Sequence, residues 1–343
     1  MFIVRADGNA KIGAGHLMRC LTIGEAVRRR PGANGYQKIL FLCADEDSAA
    51  LAERHGFRAE VLHTDYRQLE AESAAWERYV VGNGNTILVD SYYVTDAYLT
   101  AISRYGTVWL MDDMQQCAYP VDGVINYNLF ADRAVYEALY SAGNVRLCLG
   151  GDYIPLRDQF RGVSYHMGDA VQNVLLTTGG GDADNIAGAV LDGIYRQDIV
   201  YHVLVGRFSP HFESWRERAR MARNIRIYFD VQDMAGLMSQ CDLAVSAGGS
   251  TLYELAAVGV PFVCFAYAEN QEALVDYLGR TQSACSAGAW HRDAAAALRR
   301  LQEHFGQLCA SRILRQQYSD KERRLVDGEG AYRLAEILCG GSE

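Results

Sequence analysis

Short apolar runs alternate with longer amphipathic segments along this chain, and this alternation constrains its fold most strongly. In the first half, seven runs have the length and composition of buried strands, at 2–5, 38–43, 59–62, 86–89, 108–111, 123–126 and 145–149. Segments that suit helices lie between them, at 16–30, 48–55, 73–81 and 95–105. Such alternation is typical of a parallel sheet covered by helices. We therefore predict a doubly wound α/β domain.

The second half restarts the same pattern. Strand-like runs lie at 173–177, 199–205, 225–229, 243–246 and 261–265, with a helix at 183–195. A chain of 343 residues is too long for one comfortable core. The segment 153–169 carries Pro155 and several charges with little periodicity, which favours a boundary there. We predict two Rossmann-like domains, 1–162 and 163–343, facing each other across a cleft, and leave open whether a final helix at 330–338 returns to the first domain.

Charge and cysteine usage narrow the possible partners. A formal net charge of −9 argues against an extended nucleic-acid interface, which needs a basic face. Nine cysteines are scattered singly without a Cys-x-x-Cys pair, so reduced thiols are expected instead of disulfides or a metal site. The N-terminus lacks the pattern of a secretory signal, and no apolar stretch approaches the roughly 20 residues that span a bilayer. We predict a cytoplasmic monomer that binds a small molecule and no membrane.

A first glycine turn lies at Gly13-Ala14-Gly15-His16, where the first strand gives way to a helix. Unpaired backbone N–H groups and the helix dipole make such a terminus an anion site, so phosphate binding is the first expectation. His16 adds a side chain suited to proton transfer. A simple connecting loop remains the alternative. A dinucleotide fingerprint is disfavoured because Met18 stands where its third glycine would be.

A second glycine turn lies at Gly248-Gly249-Ser250-Thr251, again between an apolar strand and a helix. Its backbone N–H groups would meet a diphosphate, and Glu254, one turn into the helix, would accept hydrogen bonds from ribose hydroxyls. The alternative is a capping box with Ser250 or Thr251 as the cap and Glu254 as its partner. We favour the nucleotide hypothesis, because a capping box alone does not call for two glycines.

Further polar residues follow strands at the edge where a doubly wound fold binds ligands. They are Asp90, the pair Asp112-Asp113, and Asn126, and turn or cap chemistry is an equal alternative for each. The glycine cluster before Asp182 is another phosphate or base-side candidate. The adjacent carboxylates suggest a metal. Because neighbouring residues of a strand point to opposite faces, we predict no metal site there.

Taken together and in order, the motifs resemble those of the nucleotide-sugar hydrolases of pseudaminic acid biosynthesis. The motifs are Arg5-Ala-Asp7, Lys11-Ile-Gly13-Ala-Gly15-His16-Leu-Met-Arg19, Val89-Asp90-Ser-Tyr92, Asp112-Asp113, Tyr153-Ile-Pro-Leu-Arg157, Gly179-Gly-Gly-Asp182, Ser246-Ala-Gly-Gly-Ser-Thr-Leu-Tyr-Glu254 and Asn270-Gln271-Glu272. The resemblance implies a GT-B-like fold, similar in its second domain to the transferase that makes the peptidoglycan lipid intermediate. It also implies removal of UDP from UDP-2,4-diacetamido-2,4,6-trideoxy-β-L-altropyranose without a cofactor or metal, in a nonulosonate pathway that serves flagellin glycosylation.

The resemblance assigns roles to individual residues. His16 becomes the catalytic base that activates water for an inverting carbon–oxygen cleavage. The expected substrate contacts are Asp7, Gly15, Tyr92, Arg157 and Asn270. The expected UDP contacts are Gly180, Gly248, Gly249, Ser250, Thr251, Glu254 and Gln271. Two alternatives stay open: a UDP-sugar-dependent glycosyltransferase, and a non-catalytic protein that binds nucleotide sugars.

Overall fold

The computed structural model describes residues 1–9, 11–30, 38–179, 182–206 and 209–340. It divides into two compact units: Met1–Arg157 with the C-terminal segment from Glu329, and Asp158–Gly328. The division falls after Arg157, where the sequence places it after residue 162. The difference has a local cause, since Gln159 accepts a hydrogen bond from the backbone N–H of Ala235 (3.1 Å) within the second unit.

The first unit is built on a seven-stranded, fully parallel sheet in which all seven predicted strands are present. The strands are β1 (Phe2–Ala6), β2 (Ile39–Cys43), β3 (Arg58–Val61), β4 (Asn85–Asp90), β5 (Gly106–Met111), β6 (Gly123–Asn126) and β7 (Arg146–Leu149). Their order across the sheet is β3-β2-β1-β4-β5-β6-β7. The strands are short and mostly buried, as a sheet covered on both faces requires.

The second unit has a six-stranded parallel sheet of the same topology. Its strands are β8 (Asn173–Thr177), β9 (Val200–Leu204), β10 (Ile225–Tyr228), β11 (Leu243–Ala247), β12 (Phe262–Ala266) and β13 (Cys285–Ala289). They are ordered β10-β9-β8-β11-β12-β13. The first five were predicted, whereas β13 was not, because its sequence CSAGA lacks the branched apolar residues that indicate a strand.

Twelve helices in the described part of the chain surround the two sheets. They are α1 (Gly15–Arg29), α2 (Glu46–Arg54), α3 (Asp96–Ser103), α4 (Arg133–Leu139), α5 (Ile186–Ile194), α6 (Phe212–Met221), α7 (Met234–Ser239), α8 (Ser250–Val258), α9 (Glu272–Arg280), α10 (Ala294–Ala310), α11 (Arg312–Leu325) and α12 (Gly330–Leu338). The predicted helix at 73–81 is wrong. Within that range the structure has the 3₁₀ turn Ala75–Arg78, and a second 3₁₀ turn, Leu69–Glu72, precedes it. Buried Trp76 and Glu72 anchor these two turns.

The last helix belongs to the first unit, which was left open by the sequence. Leu334 and Leu338 of α12 are buried in the same core as Leu17 and Ile23 of α1. The hydroxyl of Thr86 on β4 also donates to the carbonyl of Leu338 at 3.1 Å. The chain end therefore completes the helical layer on one face of the first sheet.

The strand order fixes where each unit can hold a ligand. In the first sheet β1 pairs with both β2 and β4, and in the second β8 pairs with both β9 and β11. At such a switch point the loops that leave neighbouring strands run to opposite sides and leave a crevice at the carboxyl edge. The first glycine turn follows β1 and the second follows β11, so each lies at the switch point of its own sheet.

Candidate active site

His16 is the second residue of α1. The chain leaves β1, turns through Gly13 in the left-handed region (φ 78°), and enters the helix after Ala14. No side chain in the described part of the chain caps this helix. The strand and the turn thus carry His16 to the carboxyl edge of the first sheet, where the crevice is.

His16 contacts a carboxylate on the neighbouring strand. Its Nδ1 lies 2.6 Å from Oδ1 of Asp90, the last residue of β4. The register of the sheet brings them together, since Asp90 pairs with Ala6 at the end of β1. The two side chains form a dyad of imidazole and carboxylate, the arrangement that orients a histidine for proton transfer.

Asp90 is buried, with only 1% of its side chain exposed, and Arg19 compensates its charge. Nε and Nη2 of Arg19 lie 2.5 and 2.6 Å from the two carboxylate oxygens. Burial alone would raise the pKa of Asp90, but the Arg19 charge and the hydrogen bonds from Arg19 and His16 hold that pKa well below its usual range. Asp90 is therefore a carboxylate at neutral pH.

Arg19 is itself held on its far side. Its Nη1 donates to Asp113 at 2.8 Å and to the Tyr127 hydroxyl at 2.9 Å, and its guanidinium lies over the Tyr127 ring. Asn128 also donates to Asp113, at 3.2 Å. The network thus joins residues at the carboxyl ends of β4, β5 and β6. It fixes the orientation of the Arg19 guanidinium.

His16 and Asp90 line a pocket of about 200 Å³ that has an aromatic wall. The ring edge of Tyr92 packs on His16 with 4.5 Å between centroids, and Tyr66 packs on Tyr93 at 5.7 Å. Burial and the nearby Asp113 raise the pKa of Tyr92 to about 12, so this side chain is a neutral phenol. The remaining lining residues are Asp7, Ile12 and Ser91. Aromatic faces beside a few fixed polar groups suit a small polar ligand such as a sugar.

Asp7 is fixed by its own buried contacts. Its carboxylate accepts hydrogen bonds from Arg5 at 2.6 Å and from the backbone N–H of Ala44 at 2.7 Å. Arg5 is fully buried and also pairs with Glu72, which is likewise buried. The polar wall of the pocket is thereby rigid.

The charge of the pocket disfavours the phosphate expected at the first glycine turn. Among the described residues that line it are the carboxylates Asp7 and Asp90, and none is a lysine or arginine. Both carboxylates are already paired with arginines, Asp7 with Arg5 and Asp90 with Arg19, so the described lining offers a phosphate no side-chain cation. The α1 terminus therefore suits proton transfer better than phosphate binding.

The second glycine turn has a different structure. Helix α8 begins at Ser250 with Gly249 as its N-cap, and no described side chain caps it. The capping-box alternative is therefore wrong, since neither Ser250 nor Thr251 is the cap. The start of the helix is exposed at Gly249 and Ser250. The N–H of Leu252 is already paired with the Gly249 carbonyl at 3.0 Å, so an anion would have to meet the N–H groups that precede it. This terminus can receive an anion.

The two glycines of this turn are needed for different reasons. A Cβ at Gly248 would lie 2.8 Å from Val275 Cγ2 and 3.0 Å from Gln271 Cβ, so close packing requires glycine there. A Cβ at Gly249 would meet nothing within 4 Å, and its φ of −171° is ordinary extended backbone. No contact in the described structure requires glycine at position 249. A ligand that approaches the backbone closely would explain why glycine stands there.

The other predicted contacts are dispersed over both units. Arg157 is half-buried at the end of the first unit and is not among the described residues that line the pocket. Asn270 is exposed in the 3₁₀ turn before α9, and Gln271 accepts a hydrogen bond from the backbone of Tyr267 at 3.0 Å. Glu254 is half-buried on α8. Gly180 lies outside the described residues.

Several residues of the network were not predicted as site residues. Arg19 carried a detectable signal, because it lies three positions after His16 and so shares its helix face. Tyr66, which lines the pocket, and Glu72, which pairs with Arg5, carried none, since they lie in a segment without regular periodicity. Among the described residues, no group of three or more His, Cys, Asp or Glu side chains is arranged to hold a metal.

Known proteins resemble this chain in sequence. No protein-family model matches the chain. The spore coat polysaccharide biosynthesis protein SpsG of Bacillus subtilis is 26% identical over 345 residues, covering 97% of this chain and 96% of that protein. The UDP-2,4-diacetamido-2,4,6-trideoxy-beta-L-altropyranose hydrolase of Campylobacter jejuni is 19% identical over 284 residues, covering 81% and 96%.

A solved structure decides the fold. Acinetobacter baumannii MurG matches over 98% of this chain and 99% of its own, with a TM-score of 0.69 at 15% identity. The chain has a GT-B-like fold. The prediction of two parallel-sheet α/β domains of this type is confirmed. In the part of the chain that the structure describes, no helix is long and apolar enough to cross a membrane.

Proposed function

We propose that this protein is a nucleotide-sugar hydrolase that releases UDP from a UDP-linked amino sugar. The observation that carries the proposal is the pairing of His16 with an ionised, buried Asp90 in a pocket with aromatic walls. A hydrolase needs a base to activate water, and this dyad is a base beside a cavity large enough for a sugar ring. A protein that only binds its ligand has no need of a buried ion network behind one histidine.

The reaction follows from the charges. His16 takes a proton from a water molecule, and the water oxygen forms a bond to the anomeric carbon. The bond from that carbon to the UDP oxygen breaks, and its electron pair leaves with the diphosphate. Among the described residues that line the pocket, none is a lysine or arginine that would oppose the positive charge developing at the anomeric carbon. Attack opposite the leaving group inverts the anomeric centre.

We propose that the diphosphate of UDP binds to the second unit. The N-terminus of α8 offers the positive end of the helix dipole at an exposed glycine, and Gly249 leaves room for close approach. We further propose that Glu254, one turn into the helix, accepts hydrogen bonds from the ribose hydroxyls. UDP is a weak base, so stabilising its charge is sufficient help for its departure.

The sugar class rests on the relatives. One is named for hydrolysis of UDP-2,4-diacetamido-2,4,6-trideoxy-beta-L-altropyranose and another for polysaccharide biosynthesis. We propose UDP-2,4-diacetamido-2,4,6-trideoxy-β-L-altropyranose as the substrate. The protein would then act in pseudaminic acid biosynthesis. The wall formed by Tyr66, Tyr92 and Tyr93 suits a sugar with apolar substituents.

Incubation with this UDP-sugar in oxygen-18 water tests the proposal. We expect UDP release, with the label in the free sugar and none in the UDP, because the carbon–oxygen bond breaks. Label in the phosphate would overturn the mechanism. UDP release that occurs only with an added sugar or lipid acceptor would identify a glycosyltransferase instead.

A further inference from the structure

The His16 imidazole has two nitrogens, and the structure distinguishes them. Nδ1 lies 2.6 Å from Asp90 Oδ1 and 3.1 Å from Arg19 Nη2. Nε2 has no hydrogen-bond partner among the described residues, and the side chain is 15% exposed at the pocket. Which nitrogen carries the proton decides whether His16 can act as a base toward the pocket.

The two contacts of Nδ1 favour opposite tautomers. An unprotonated Nδ1 would accept from Arg19, but its lone pair would then face a carboxylate oxygen at 2.6 Å. A protonated Nδ1 donates to that same oxygen in a short bond to an ionised acceptor. Charge-assisted bonds are about twice as strong as neutral ones. Both partners of Nδ1 are ionised, so charge assistance alone does not separate the two contacts. The contact with Asp90 is the shorter, at 2.6 Å against 3.1 Å, and a carboxylate can only accept, so this contact determines the tautomer.

Arg19 is what keeps Asp90 in the form that this arrangement needs. Three of its N–H contacts, from Nε and Nη2 to Asp90 and from Nη1 to Asp113, tie the two carboxylates to one guanidinium. A buried carboxyl without that charge would favour its neutral form. A neutral Asp90 would donate its own proton to Nδ1, which would move the imidazole proton to Nε2.

We propose that Arg19 is a positioning residue: its guanidinium holds Asp90 as the acceptor of the Nδ1 proton of His16, so that Nε2 is the atom that takes the proton from water. The proposal rests on the proposed hydrolase function for its kinetic consequence. The tautomer itself is a property of the protein without substrate, so the two can fail separately.

The first test is nitrogen-15 NMR of the protein labelled at histidine, with the His16 signals assigned by their loss in His16→Asn. We expect neutral His16 in the wild type to carry its proton on Nδ1. We expect Arg19→Gln to move the proton to Nε2, and Arg28→Gln, an exposed arginine on the same helix, to leave it on Nδ1. A wild-type proton on Nε2 would overturn the proposal without any variant.

The second test measures UDP release by the same proteins. Arg19→Gln should lower kcat about 100-fold with KM within about threefold of the wild type, because the base is mis-protonated while the substrate still binds. Arg19→Lys keeps the charge but not the planar fork, so its kcat should lie between the two. If Arg19→Gln folds and matches Arg28→Gln in tautomer and kcat, the proposal is wrong; if it does not fold, Arg19→Lys and the wild-type tautomer decide. A proton on Nδ1 in a wild type that releases no UDP would refute the hydrolase and leave the tautomer assignment standing.

Discussion

The N-termini of α1 and α8 have nearly the same backbone setting and opposite chemical surroundings. Each follows a central strand of its sheet, at the switch point, through a glycine turn, and in the described part of the chain neither has a side-chain cap. Around α1 the neighbouring strand supplies Asp90, which pairs with His16. Around α8 the helix start is exposed at Gly249 and Ser250, and no described side chain caps it. A glycine turn therefore provides a site, and the neighbouring side chains decide its chemistry.

Helix α5 offers a third case, in which the terminus is already filled. The carboxylate of Asp182 accepts from the backbone N–H groups of Ile186 and Ala187, at 2.7 and 2.9 Å. An internal anion thus occupies the position that an external phosphate would take. Of these three termini, α8 is the one whose described surroundings suit a diphosphate.

Removing the imidazole should have the largest effect and is specific to the α1 terminus. We expect His16→Asn to lower kcat for UDP release about 1000-fold while KM changes little, because a general base contributes about 10² to 10⁴. The measurement is steady-state UDP release together with UDP affinity by calorimetry.

The matched control is His55→Asn, an exposed histidine of the same unit, which should keep wild-type kcat. A His16→Asn protein that turns over at the wild-type rate would remove the chemical distinction between the two termini. A variant that also loses UDP affinity would mean that the α1 terminus binds the nucleotide.

A methyl group at Gly249 should have the next largest effect and is specific to α8. Because the added Cβ meets nothing in the described structure, Gly249→Ala should fold with wild-type stability. Its methyl would stand where the diphosphate approaches, and we expect UDP affinity to fall about tenfold. Calorimetric titration with UDP and thermal unfolding measure the two quantities.

Gly248→Ala provides the contrast one residue away. Its Cβ would collide with Val275 and Gln271, so the free energy of unfolding should fall by about 1–3 kcal/mol. Equal UDP affinity in Gly249→Ala and the wild type would show that α8 does not hold the nucleotide. Equal losses of stability in both variants would show that both glycines serve packing.

The contrast between the two helix termini also shows which features can be predicted from the sequence. Buried strands were readily predicted because their apolar runs are short and sharply bounded, and only β13, with its small residues, escaped. His16 and the α8 turn were recognised because each motif is contiguous. Asp90 and Arg19 lie 71 residues apart, and their pairing depends on the order of β1 and β4 in the sheet.

Buried ion pairs were the feature that was hardest to predict from the sequence. Arg5 on β1 and Glu72 are separated by 67 residues, and a fully buried arginine inside an apolar strand has no sequence signature. A helix was predicted at 73–81, directly after Glu72, whereas a 3₁₀ turn with buried Trp76 stands there. Local patterns predict local structure, and long-range pairing of charges is not local.

A smaller effect is expected at the filled α5 terminus. Asp182→Asn should lower the free energy of unfolding by about 1 kcal/mol, because it weakens a charged cap. UDP affinity should stay at the wild-type value if α8 alone receives the diphosphate. A loss of affinity at unchanged stability would show that α5 shares the nucleotide.

The smallest effect on catalysis is expected at His202, which extends the contrast to the histidines of the two units. His16 faces an ionised carboxylate, whereas buried His202 on β9 contacts Tyr228 and Asn173, at 2.9 and 3.0 Å. Burial, with Arg226 nearby, lowers the pKa of His202 to about 4. Against about 6.5 in the unfolded chain, the unfolded state binds more protons between these values, so stability must fall as pH drops from 6.5 toward 4.

His202→Gln should therefore flatten the acid loss of thermal stability between pH 7 and about 4.5, because the variant has no imidazole to protonate on unfolding. His55→Gln is the matched control, because it removes an exposed imidazole instead of a buried one, and it should keep the wild-type slope. Unfolding midpoints of the three proteins across this range measure the difference. An unchanged slope in His202→Gln would assign the acid loss of stability to other groups, and His202 would then contribute no more to it than the exposed His55.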